Sequence, residues 1–197
     1  MRTITEQEFL RWAAGKRLGL DPQYPDSAVL DFSRGPDSRF WVVPPEPERR
    51  PHLIASLLEL MGDWHLCYVW RHLGSWPNPS TVDVRRVNDV VELRILQGLG
   101  LPLGTADVVI FDRVDLPTLI TLLFSTMVFG WSVGEDVYVV PDHGRHVLQT
   151  DHHEVIHVSF HDTGEIGHWV SQMAQRGFDL PEDVPDATFK RPSWMPE

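Results

Sequence analysis

Residues 137–160 constrain this chain most, because three short apolar runs are separated there by residues that end strands. The runs 137–140, 145–150 and 154–160 are divided by Pro141-Asp142-His143-Gly144 and by Asp151-His152-His153. Breaks of this length between alternating runs predict an antiparallel meander. In the third run Ile156, Val158 and Phe160 alternate with His157, Ser159 and His161. The apolar set is therefore expected on one face, with the histidines on a wet or cleft-facing surface. Six of the ten histidines fall between His143 and His161, so any chemistry of imidazoles is sought here first.

The remaining periodicities predict elements that cover such a sheet. Thr5 with Glu8 three residues later forms a capping box, and Ile4 can staple onto Phe9, which starts a helix ending near Gly15 or Gly19. Residues 21–26 contain Pro22 and Pro25 and read as loop. Residues 28–33 and 39–43 are β-rich on either side of Gly35-Pro36-Asp37-Ser38, which predicts a hairpin. Pro51 stands at a first helical position before Leu53, Ile54, Leu57, Leu58 and Met61, and Gly62 closes that helix. In 64–73, Trp64, Leu66, Tyr68 and Trp70 alternate with His65, Cys67, Val69 and Arg71, so a strand with one aromatic, core-facing side is expected.

Residues 84–97 are expected to be helical with Val87, Val91 and Ile95 on one face, and 107–112 to form a buried strand. Asp115-Leu116-Pro117 opens an apolar helix through Leu119, Leu122 and Leu123; 163–176 carries Ile166, Trp169, Val170 and Met173 at helical spacing and stops at Gly177. The fold class is therefore α+β: a mixed or antiparallel sheet with a C-terminal meander, covered by apolar helices. The chain is read as one domain over 1–197. Its possible halves are 1–76 and 81–178, joined at the Pro- and Gly-containing stretch 74–80, with a Pro-rich tail over 179–197. A weak strand-helix-strand duplication shows in the likeness of 53–64 to 119–131.

Composition narrows the function classes. A hydrophobic content of 42% supports a sizeable core, and a formal net charge of −11 argues against a nucleic-acid backbone and for a basic protein as partner. Cys67 is the only cysteine, which excludes an intramolecular disulfide and a cysteine zinc cluster. There is neither an apolar run of membrane-spanning length nor a signal-peptide core in the first twenty residues, so a cytoplasmic protein that does not enter membranes is expected.

Two short strings resemble enzyme motifs. His153-Glu154-Val155-Ile156-His157 matches H-E-x-x-H and resembles the zinc-dependent metalloproteases of the zincin type. That resemblance implies His153 and His157 as ligands of zinc or another divalent metal, with Glu154 as the general base. It also requires a helix, because residues four apart share a helical face about 6 Å apart but lie about 13 Å apart along a strand. The alternation in 154–160 favours the strand. Asp142, His143, Asp151 and His152 offer another donor set if turns gather them around one strand histidine.

Gly130-Trp131-Ser132-Val133-Gly134 resembles the nucleophile elbow of α/β-hydrolases, which would make Ser132 the nucleophile. Here a helical pattern precedes the pentapeptide and a strand pattern follows it, the reverse of the family's order. Neither resemblance extends beyond its five residues. The main expectation is therefore a non-catalytic binding or interaction module with no cofactor. The alternative is a metal-dependent hydrolase using the histidines around His153 and His157.

Overall fold

Thr5 opens the first helix as its spacing predicts: its hydroxyl accepts from the Glu8 N–H at 3.3 Å while the Glu8 carboxylate accepts from the Thr5 N–H at 2.9 Å. This helix, α1 (Glu6–Gly15), follows a short strand, β1 (Arg2–Ile4). The computed structural model describes residues 1–20, 30–32, 37–71, 76–80, 82–83, 85, 87–105, 107–129, 136–151 and 154–181. The strands β2 (Leu18–Leu20), β3 (Leu30–Phe32) and β4 (Asp37–Val42) precede α2 (Arg50–Leu60), in which Pro51 occupies the first turn and Gly62 follows the end at φ 82°. Next come β5 (Leu66–Arg71), α3 (Val87–Gly98), β6 (Val108–Asp112) and α4 (Leu116–Phe129). The meander β7 (Val137–Pro141), β8 (His146–Asp151) and β9 (Val155–Phe160) leads into α5 (Ile166–Gln175).

Seven strands form one antiparallel sheet in the order β1-β6-β5-β7-β8-β9-β4, and β2 pairs with β3 apart from it. The fold is α+β, with the predicted C-terminal meander at one side of the sheet. The predicted hairpin between 28–33 and 39–43 does not form. β3 pairs with β2, and β4 pairs with β9 in the register Trp41↔Ile156. Both segments had strand character, but their partners lie elsewhere in sequence, which a local pattern does not reveal. Strands from both sides of 74–80 interleave, since β5 lies between β6 and β7.

Register assigns the two faces. Cys67, Val69, Val109, Phe111, Val137, Val139, Leu148, Ile156, Val158 and Trp41 belong to the larger core, together with Leu53, Ile54, Leu57 and Leu58 of α2 and Leu119, Leu122 and Leu123 of α4. α5 adds Trp169 and Met173 to the same core. The opposite face places Tyr68, Trp70, Val108, Tyr138, Val140 and Val147 beneath Phe9 and Ala13 of α1, Leu18 of β2 and Phe32 of β3. Both faces of the central strands are thus buried.

Two inward faces differ from expectation. Trp64 lies before β5 and joins the larger core, whereas Tyr68 and Trp70 point to the other side. On α3 the buried residues are Glu92 and Leu96, with Val91 and Ile95 half-buried; the side chain of Val87 is outside the described residues. The cause is Arg71, which follows Cys67 and Val69 on the inward side of β5 and draws Glu92 to it.

Candidate functional site

The β7–β8 turn and Asp151 lie at opposite ends of β8. Six strand residues span that length, roughly 20 Å, so Asp142 and His143 do not converge with Asp151. Glu154, just before β9, stands in the left-handed region at φ 61° while its carbonyl accepts from the Val43 N–H at 2.8 Å. β9 begins at the next residue, so 154–157 does not form the helix that the zincin resemblance needs. His157 sits mid-strand, paired with Gln149 and Phe40, half-buried, its ring 5.9 Å from that of Phe40. Burial raises the Glu154 carboxyl above its usual range, opposed by Arg50.

His152, His153 and 130–135, including Ser132, lie outside the described residues. Among the described residues no group of three His, Cys, Asp or Glu side chains is placed to hold a metal ion. No helix among them is long and apolar enough to cross a membrane.

The β7–β8 turn gathers more polar contacts than periodicity suggested. Asp142 accepts from the main-chain N–H groups of His65 and Leu66 at 3.4 and 3.2 Å, which ties the turn to the start of β5. His143 Nε2 lies 2.9 Å from the Met61 carbonyl beyond α2, and its Nδ1 accepts from the Arg145 N–H at 3.1 Å. Gly144 has φ 67° and lies against Lys16 of the α1 end; a Cβ there would come within 2.9 Å of Lys16 carbons. His146 is buried on the larger-core face between Phe160 and Trp169, and its Nε2 meets Glu165, just before α5, at 2.7 Å. Arg145 approaches the same carboxylate at 3.7 Å.

This arrangement can hold and release protons and can join four connections at one end of the sheet. Sequence reasoning placed His143 and His146 in the imidazole-rich stretch and named Asp142 and His143 as metal donors, but it gave His146 no partner and passed over Glu165. The available signal was register: His146 shares the inward phase of Leu148 and Thr150. It likewise missed Arg71 and Glu92, whose side chains are each 2% exposed and 3.1 Å apart.

The fold and these turns define an α+β protein with a helix-covered antiparallel sheet and a polar joint at the β7–β8 end. Compared with protein-family models, with curated proteins and with solved structures, the chain matches none.

Proposed function

We propose that the protein is a non-catalytic binding module that meets a basic protein partner at the end of the sheet containing the β7–β8 turn. The observation supporting this is the placement of charge in four connections that the topology brings to that end. Residues 61–65, 112–115, 142–145 and 161–165 carry Asp63, Asp112, Asp115, Asp142, Asp162 and Glu165 against Arg113 and Arg145, with the N-terminal amine on Asp115 and Lys16 beside Gly144 as the further cations at this end. Arg113 lies over the Trp64 ring at 4.7 Å and Arg145 is beside Glu165, so neither cation leaves that acidic end. Asp63, Asp112 and Asp162 are exposed. Such a field steers and orients a cationic partner more than it adds affinity.

Binding of a lysine-rich peptide, measured by titration calorimetry at low salt, tests the reading. Asp63→Asn/Asp112→Asn/Asp162→Asn should weaken it about tenfold, while Glu46→Gln/Glu48→Gln/Asp179→Asn, at exposed sites elsewhere, should change it little. Equal losses from both triples would overturn the proposed location. A stoichiometric zinc, iron, manganese or nickel ion in the purified protein, lost with His157→Ala, would instead favour the metal-dependent hydrolase.

A further inference from the structure

The hydrogen bonds at the β7–β8 turn assign its protons. Because the Arg145 N–H donates to His143 Nδ1, that nitrogen is bare, and the ring proton sits on Nε2 and donates to Met61. His146 gives its Nε2 proton to the Glu165 carboxylate, and its bare Nδ1 is buried with no hydrogen-bond partner. The two rings meet edge to face with centroids 5.7 Å apart. Both bonding patterns are those of neutral imidazoles.

We propose that the β7–β8 turn is a pH-sensitive joint: neutral His143 and His146 clamp it to the C-terminal end of α2 and the start of α5, and their protonation opens it. A second proton on His143 would face the Arg145 N–H, donor against donor, and one of the two must move. A second proton on His146 would lie among Phe160, Trp169 and the His143 ring, a buried donor without an acceptor. Two imidazolium rings at this separation would also repel.

The charged groups around the pair come from every neighbouring element. Asp142 and Arg145 belong to the turn, Glu165 precedes α5, Lys16 reaches in from α1, Asp63 and His65 lie between α2 and β5, and His161 ends β9. Burial disfavours a charged form of both; the Met61 carbonyl, Asp142 and Glu165 favour a charged His143 and Glu165 a charged His146, while Arg145 disfavours both and His143 disfavours a charged His146. Burial outweighs the carboxylates and holds both imidazoles below their ordinary range. A folded-state value below the unfolded one gives stability that is complete above about pH 6.5 and is lost as pH falls. Flanking carboxylates alone would have given the opposite sign. The joint does not depend on the partner proposed above, although opening it would reshape that acidic end.

Hydrogen exchange on the full chain at pH 7.5 and 5.5, corrected for intrinsic rates, tests the joint. The amides of His65, Leu66, Arg145 and His161 are bonded at the turn and should lose about tenfold protection at pH 5.5, while Val69 and Val139 in mid-sheet keep theirs. His143→Gln/His146→Gln retains N–H donors toward Met61 and Glu165 but cannot take a second proton, and it should abolish the pH dependence. Protection unchanged by pH in the native protein, or lost equally in the double variant, would overturn the proposal. Should that variant fail to fold, an NMR titration of the native imidazoles decides. Protonation of His143 and His146 accompanied by loss of Arg145 amide protection supports the joint; protonation without that loss refutes it.

Discussion

Arg71 and Glu92 show what one residue costs and contributes in this core. Removing the Glu92 charge takes a compensating carboxylate from buried Arg71, so Glu92→Gln should destabilise the protein by about 3–5 kcal/mol. Arg71→Met/Glu92→Leu should cost less than either single change, because it removes both desolvated groups together. Urea denaturation of the three variants checks this, and additive losses would show the pair to be uncoupled. The phase of Arg71 with Cys67 and Val69 stood in the sequence, but neither the burial of that face nor the partner of Arg71 was legible there. Glu92 lies 21 residues away on α3, and only packing makes that helix present an acid inward. Cys67 is buried, and burial pushes its thiol well up, so it has the character of a core residue rather than of a nucleophile.

At the scale of elements, α2, α4 and α5 pack as their apolar stripes require, whereas α3 turns Glu92 and Leu96 inward instead of its predicted stripe. α2 lies beside α4 and α5, and Leu57 is fully buried. Leu57→Ala should cost about 2–5 kcal/mol in chemical denaturation; a loss below about half a kilocalorie would contradict the packing of α2. The meander was legible because its turn signals are short and its runs are apolar, the third alternating strictly. The pairing of β4 with β9 was not, because Ile156 lies 115 positions after its partner Trp41, while Gly35-Pro36 offered a nearer turn signal. Of the candidate site, the strand through His157 could be read directly. The inward position of His146 could not, because it depends on α5 covering that face.

Across the whole molecule, titration should shape stability in two steps. As pH falls below about 6.5 the depressed His143 and His146 remove stability, because the unfolded chain binds protons first. Below about pH 4 the same sign applies to Asp115, held low by the N-terminal amine at 2.8 Å, and to Glu8, held low by Thr5. Glu154 has the opposite sign: its raised carboxyl gives stability that is present at low pH and lost as pH rises through its folded-state value. Urea midpoints from pH 3 to 8 should therefore decline in two stages on acidification, and a midpoint that rises between pH 7 and 5.5 would contradict the histidine assignment. The sequence by itself determined where α1 to α5 and β3 to β9 lie, to within a few residues, because caps, prolines, glycines and apolar period act over short distances; β1 and β2 carried no such signal. The tertiary structure alone decided which strands are neighbours, that Arg71 meets Glu92, and that His146 is buried beside Glu165. Those outcomes follow from closing long loops and covering both sheet faces, and no local pattern encodes the partner.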